Sequence, residues 1–289
     1  MILTLFTPAY NRANTLPRLY ESLLAQSCFD FEWLIIDDGS SDETARTVGG
    51  FDGGGKFPVR YVYKENGGKH TAHNLALQEA RGDWFLCIDS DDILTPNAVE
   101  DVLAAAKDLP ENTGIASYKK EFDGRMLGGP FPEGLRYEKM YRLSLIHHCG
   151  GEFAYAFPTE YARRFPFPVF SGERFMGECV VYDRMDAVGQ MYLLPKVTMV
   201  CEYLPDGCSG QFTRLIKNNP RGFCLYYMQR IDLVPFLSER VVNAGKYWSF
   251  RWISKNQGPR YSGGHRLLTY LCLPVGMAFR VYCKVIRGI

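Results

Sequence analysis

Three short apolar runs in the first third of the chain each end in a block of polar residues, and this pattern does most to narrow the fold. Leu3–Phe6 runs into Pro8-Ala9-Tyr10-Asn11, Phe31–Ile36 into Asp37-Asp38-Gly39-Ser40, and Trp84–Ile88 into Asp89-Ser90-Asp91-Asp92. Apolar runs this short, bounded by Gly and polar residues, read as buried strands. Segments of helical period lie between them. Leu16–Leu24 has Asn14 or Thr15 as N-cap and Pro17 in its first turn, and Thr44–Val48 and Thr71–Ala80 follow. Further strands are expected at Val59–Tyr63 and Ile115–Tyr118, with a helix at Ala98–Lys107. Strands separated by helices predict an α/β fold with a mostly parallel, doubly wound sheet flanked by helices. Ligands bind such sheets outside the carboxyl ends of the strands, so the three polar blocks are expected to converge on one edge.

The residue types in those blocks suit a nucleotide. Asp89 and Asp91 stand two apart, and in extended backbone such residues project to the same side. Two carboxylates aimed together repel unless a cation lies between them. Hard divalent ions such as Mg2+ or Mn2+ take oxygen ligands of this kind and share them with substrate phosphates. The alternative is that Asp91 or Asp92 caps a turn before Pro96-Asn97. Tyr10 can stack on a base. Asp38 can accept from a pyrimidine imide N–H or from ribose hydroxyls, Asp89 can reach ribose, and Asp91 can hold the metal against a diphosphate. Asn11, Asp37 and Ser90 complete the polar set at the nucleotide edge. In Asn66-Gly67-Gly68-Lys69 the glycines allow close backbone approach before a helix. Lys69 can offset phosphate charge, and Asn74, one turn into that helix, can bond ribose or sugar. Loop and capping roles are the alternatives for the Asp37–Asp42 and Gly67–Lys69 stretches, and Tyr10 alone could be a plain surface aromatic. His70 and His73 are not spaced i, i+4 and are not read as metal ligands.

The hydrophobic fraction of 46% against 22% charged fits a core-forming globular chain. Nine cysteines form no C-x-x-C pair, which favours reduced, buried thiols over a disulfide framework or a zinc site and suggests the cytoplasm. Met1-Ile2-Leu3-Thr4-Leu5-Phe6 has no basic n-region and reads as the first strand rather than a secretory signal. The net charge of +1 conceals a segregation. Eight of the 33 Lys and Arg residues follow residue 240, where there is no Asp or Glu, so the preceding chain carries 25 cations against all 32 acids. A basic tail on an acidic body suggests an anionic partner. The apolar stretch Leu267–Phe279 is interrupted by Thr269, Pro274 and Gly276 and is shorter than the roughly 20 residues a spanning helix needs. An interfacial helix on an anionic membrane is one reading, preferred to nucleic acid because the apolar content is high. A helix packed on the body with a solvated basic face is the other.

The opening strand into Pro8-Ala9-Tyr10-Asn11-Arg12, the run Leu34 to Thr44 through Asp37-Asp38-Gly39-Ser40-Ser41-Asp42, Gly68-Lys69-His70 through Asn74, and Asp89-Ser90-Asp91-Asp92 with Pro96 together resemble the family 2 glycosyltransferases of the GT-A fold. The resemblance covers about residues 1–120. It implies a nucleotide-sugar donor, commonly a UDP-sugar, a divalent metal (Mn2+ or Mg2+) at the D-x-D motif, and inversion at the anomeric carbon. By motif position Pro8, Tyr10 and Asp38 would line the base, Asp89 the ribose and Asp91 the metal, with Asp89 shared between ribose and ion. Glu178, in Gly172–Arg184, matches the family's base position, although Cys179 stands where Asp often follows; Glu173 and Asp183 are the fallback candidates. Glu202–Ser209 resembles a loop that closes over the donor.

These expectations divide the chain into a nucleotide-sugar half (1–120), an acceptor half (121–215) and a helical basic extension (216–289). They imply transfer of a sugar to a glycan or lipid-linked acceptor in surface polysaccharide or lipopolysaccharide assembly, in the cytoplasm or peripherally on the inner face of the cell membrane. A non-catalytic nucleotide-sugar binder is the alternative, and a metal-dependent phosphohydrolase a weaker one: Ile93 stands where such an enzyme wants Thr or Val, and Tyr10 and Asp38 would go unexplained.

Overall fold

The computed structural model describes residues 1–202 and 212–286, which form two compact units. The first comprises Met1–Pro166 and Val188–Glu202. In chain order it begins β1 (Leu3–Ala9), α1 (Leu16–Leu24), β2 (Phe31–Asp37), α2 (Thr44–Val48), β3 (Val59–Tyr63), α3 (Lys69–Glu79) and β4 (Trp84–Cys87). It continues through β5 (Ile93–Leu94), α4 (Ala98–Ala105), β6 (Thr113–Glu121), β7 (Tyr137–Glu138), α5 (Met140–Leu145), β8 (Phe153–Pro158) and α6 (Thr159–Arg163). After α7 (Cys179–Asp186), which belongs to the second unit, β9 (Gln190–Cys201) closes the sheet.

The strand order is β3-β2-β1-β4-β8-β6-β9-β5, with β7 also on β9. β3, β2, β1 and β4 are parallel, as the strand–helix alternation predicts. All seven residues of β2 are buried, the continuous apolar run that a strand covered on both faces requires. Leu16, Leu19 and Leu23 give α1 its buried stripe. Beside it Tyr20 stacks on Phe51 at 4.3 Å, and Phe51 stacks on Trp33 at 5.5 Å. Beyond β4 the sheet turns mixed. β8 runs antiparallel to β4 and β6, β6 and β9 are parallel, and β5 and β7 are antiparallel to β9. Antiparallel neighbours need no helical crossover, so the alternation that reveals the first half carries no signal for the second. Residue 120 falls inside β6, and β6 to β9 extend the same sheet.

The starts of the parallel strands are tied by a buried carboxylate. Glu32, 3% exposed, accepts from Thr4 Oγ1 and Arg81 N, both at 2.7 Å, and pairs with Arg60 at 3.1 Å. Arg60 also reaches Glu79 at 2.7 Å, which binds α3 to this edge.

The second unit comprises Phe167–Ala187 and the described residues after 211. Besides α7 it holds α8 (Phe212–Asn218), α9 (Pro220–Leu233), α10 (Leu237–Ile253), α11 (Arg266–Leu271) and α12 (Leu273–Ile286), so the tail is helical as expected. Its core gathers Cys224, Ile231, Ala244, Tyr247, Phe250 and Cys272. α10 and α12 cross closely: a Cβ on Gly276 would stand 2.6 Å from Trp248 Cβ, and one on Gly245 2.5 Å from Val275 Cγ1. Arg230 on α9 grips Asp183 on α7 through two bonds, 2.7 and 2.9 Å.

Removing the buried Glu32 carboxylate leaves its Thr4 and Arg81 donors unpaired and costs Arg60 one of its two acidic partners. Glu32→Ala is therefore expected to lower the unfolding free energy by about 3 kcal/mol, read as a shift in urea midpoint.

Candidate active site

The carboxyl ends of β1, β2 and β4 meet on one edge. β1 lies between the other two, with Ala9 in register with Asp37 and Phe6 with Cys87. Asp38 N donates to Ala9 O at 2.8 Å. Beyond the strands, Asn11 and Arg12 join the three loops. Asn11 sits at φ 54°, a left-handed conformation that Asn tolerates better than most residues. Its amide N donates to Ser40 Oγ at 2.8 Å, and its Oδ1 accepts from Ser41 N at 2.9 Å. Arg12 Nε donates to Ser90 Oγ at 3.1 Å. Asn11 therefore reaches the β2 loop and Arg12 the β4 loop. Tyr10, between β1 and this junction, is 49% exposed, and Pro8 is half-buried.

The two aspartates at the end of β2, Asp37 within it and Asp38 just beyond, work inside the protein. Asp37, expected to join the polar set at the nucleotide edge, is 1% exposed. It accepts from Ser40 N at 2.7 Å on one oxygen and from Tyr61 OH at 2.6 Å on the other, so it shapes the loop. Asp38, 4% exposed, receives Gly67 N at 2.9 Å, Gly68 N at 2.7 Å and the Lys64 ammonium. It fastens the glycine-rich loop that opens α3. Lys69 in the first turn of α3 then pairs with Asp89 at 2.6 Å. Asn74, one turn on, is half-buried on the same helix. His73 packs edge-on against Phe6 and Phe85, with centroids 5.6 and 5.2 Å away, and has a packing role.

The acidic cluster after β4 is not a helix cap. Asn97 holds the N-cap position of α4, and no side chain caps it. The three carboxylates differ in charge balance. Burial acts to raise Asp89, but Lys69, Lys119 and Arg12 outweigh it and hold the carboxyl below its ordinary range. Burial and the charge of Asp89 push Asp91 up. Asp92, 5% exposed, is pushed up to about 7 by burial and by Asp89; it accepts from the Cys201 thiol at 3.1 Å and lies 3.9 Å from Lys119 Nζ. Arg18 donates to the Asp91 carbonyl, pairs with Glu202 at 2.7 Å and lies over the Phe122 ring at 4.7 Å.

Among the described residues no three His, Cys, Asp or Glu side chains meet as a ready cation cage. A pair of carboxylates is nevertheless a usual protein share for Mg2+ or Mn2+ bound with a diphosphate, which supplies further oxygens with water. Asp91 fits that role, because burial and a neighbouring carboxylate disfavour its charge and a cation relieves both. Asp89 is balanced by Lys69.

Glu178 belongs to the second unit, exposed at the N-cap position of α7. The two fallback carboxylates near it are committed elsewhere. Glu173 is buried and accepts from Arg221 N at 2.8 Å and Gly222 N at 3.0 Å, at the start of α9. Asp183 is held by Arg230. Of the loop expected over the donor, residues 203–209 lie outside the described residues. Sequence reasoning passed over Arg12, Lys64 and Lys119, which supply cations to the aspartates. Lys64 directly follows β3 at the same strand-end level as Asp38, a signal available from the pattern. Lys119 arrives from β6 in the mixed half and gave none.

In comparison with known proteins, residues 4–163 match the model of the family described as glycosyl transferase family 2. The chondroitin synthase of Pasteurella multocida (strain Pm70) is 35% identical over 153 residues, covering 51% of this chain and 15% of that protein. The hyaluronan synthase of Pasteurella multocida aligns with the same figures. The chain thus spans a small part of the length of these relatives. Among solved structures, S. aureus TarS 1–349 in complex with UDP-GlcNAc is similar with a TM-score of 0.60 at 16% identity, over 87% of this chain and 73% of that one. A mannosyltransferase from Pyrobaculum calidifontis in complex with GDP-Man and Mn2+ is similar with a TM-score of 0.52 at 16% identity, over 98% and 74%. At these identities the likeness is one of fold.

Gly39 has φ 86°, and a Cβ there would stand 2.7 Å from Asn66 N. Gly39→Ala is expected to cost at least about 1–2 kcal/mol of stability through backbone strain and this clash, measured by denaturant unfolding.

Proposed function

The chain belongs to glycosyl transferase family 2 and has the GT-A fold, and from that premise we propose that it transfers a sugar with inversion from a UDP-sugar to a hydroxyl of a glycan or lipid-linked acceptor. The observation that carries this reading is the junction of Asp38, Lys69–Asp89 and Asp91 at the ends of the parallel strands. Two solved neighbours support a UDP-sugar, being complexes of TarS with UDP-GlcNAc and with UDP. Relatives named as chondroitin and hyaluronan synthases support polysaccharide assembly as the setting, with surface polysaccharide or lipopolysaccharide as the product class.

In this reading the exposed Tyr10 stacks on the base beside Pro8, and Asp38, buried, shapes the base site through the glycine-rich loop it holds. Asp89 accepts from ribose, and Asn74 bonds ribose or sugar. Lys69, already in the first turn of α3, turns its ammonium toward the diphosphate. Asp91, with Asp89, would hold Mn2+ or Mg2+. Bound there, such an ion would supply Lewis-acid neutralisation of the departing diphosphate. The acceptor oxygen bonds to the anomeric carbon as the carbon–oxygen bond to the diphosphate breaks, so configuration inverts in one displacement. The hydroxyl proton passes to a carboxylate, and Glu178, exposed and at the position that the family resemblance gives to the base, is assigned that role.

Calorimetry of UDP with Mn2+ tests the donor site. Asp91→Asn is expected to weaken UDP at least about tenfold and to abolish the gain from Mn2+, each tenfold being about 1.4 kcal/mol. UDP binding indifferent to both ion and substitution would sink the metal–diphosphate assignment. Glu178→Gln is expected to lower turnover about 10²–10⁴-fold with donor affinity retained, in single-turnover assays with a UDP-sugar panel. Donor binding without turnover in the unaltered chain would make it a binding module.

A further inference from the structure

The basic tail is not used by the transfer chemistry, and its last two helices have an unusual surface. On α11, Leu267 is 75%, Tyr270 61% and Leu271 68% exposed. On α12, Met277, Val281 and Val285 are 58%, 60% and 72% exposed. The last three are spaced i, i+4, i+8, so they form one stripe along the helix. The other side of α12 is already occupied, with Gly276 against Trp248 and Val275 against Gly245 of α10. α12 is therefore apolar on two faces, and only one of them is covered by the unit's own core. Arg280 and Lys284, one turn apart, border the exposed stripe, and Arg266 opens α11. No Asp or Glu occurs after residue 240.

We propose that α11 and α12 seat this protein on an anionic phospholipid bilayer, lying in the headgroup interface. An exposed apolar stripe flanked by Lys and Arg, with acids absent, is the pattern of an interfacial helix. Cations near an anionic lipid surface add electrostatic attraction, and the apolar side chains supply the rest. Among the described residues no helix is long and apolar enough to cross a membrane, so these helices lie on the bilayer. A shallow groove of about 330 Å³, lined by Trp252, Met277, Arg280 and Val281, runs beside the stripe. Its wall is apolar and matches a lipid's acyl chain. A second copy of the chain fits less well, because a two-fold contact would bring Arg266, Arg280 and Lys284 against their own like charges. The inference rests on this surface alone and does not depend on the transfer reaction.

Co-sedimentation of the full chain with phosphatidylcholine vesicles, with and without phosphatidylglycerol, tests it. The chain is expected to pellet with the mixed vesicles, to remain in solution with phosphatidylcholine alone, and to be released by salt. Met277→Glu with Val281→Glu is expected to weaken binding about tenfold or more, since each apolar side chain buried contributes on that scale. Arg280→Gln with Lys284→Gln is expected to remove the preference for phosphatidylglycerol. Helical circular dichroism and UDP affinity should stay unchanged in both variants, which separates this outcome from failure of the donor site. Equal binding to both vesicles, no binding to either, or full binding by the Glu variant would each overturn the proposal. So would a dimer in solution that the Glu substitutions dissociate.

Discussion

The buried carboxylate of Asp38 is the interaction on which the rest of the site depends. It stands one residue beyond β2 and collects two backbone amides, those of Gly67 and Gly68, together with the Lys64 ammonium. Amide donors arranged around a carboxylate fix a loop more firmly than a side-chain contact, because the backbone itself becomes the ligand. With the loop fixed, α3 starts at Lys69, and its first side chain meets Asp89 across the edge of the sheet. One ion pair at the end of β2 thus sets the position of another at the end of β4. The hydrogen bonds of Asn11 and Arg12 bind the loops from the β1 side, so the three strand ends form one polar layer.

The two edges of the parallel strands divide the work. At their starts, Glu32, Arg60 and Glu79 make a closed charge network whose members all pair within the protein. At their ends the charges are less balanced: Asp89 is held low by cations, while Asp91 and Asp92 are raised. A group whose charge the protein leaves poorly compensated is a natural place for an added ion or substrate. Side chains of the same chemical type therefore stabilise one edge and prepare the other for ligands.

Much of this was legible in the sequence, and the parts that were not have physical reasons. The strands β1, β2, β3 and β4 and the meeting of their ends followed from apolar runs separated by helical segments. Of the mixed half only β6, expected at Ile115–Tyr118, did, because a strand such as β8 pairs with neighbours on both sides without a crossover helix to announce it. Asp37 and Asp38 looked alike in sequence, yet Asp37 falls within the last residue of β2 and turns its carboxylate to Ser40 N and Tyr61 OH. Which of Glu173, Glu178 and Asp183 stays exposed was equally invisible, since it depends on Arg221 and Arg230, which are far along the chain.

The register between β6 and β9 shifts around Tyr118: Ser117 pairs with Leu194, Tyr118 with Val197 and Lys119 with Met199. Side chains on a strand alternate between faces, so the parity of this irregularity decides which side Cys201 occupies. In the present register Cys201 donates its thiol to Asp92. Losing one residue between Leu194 and Val197 would carry the end of β9 to the opposite face while leaving every polar block of the strand edge intact. The acidic cluster is thus encoded partly in spacing, as the length of an irregular stretch remote from it, and a chain can keep the whole motif yet lose the surroundings that set its charge.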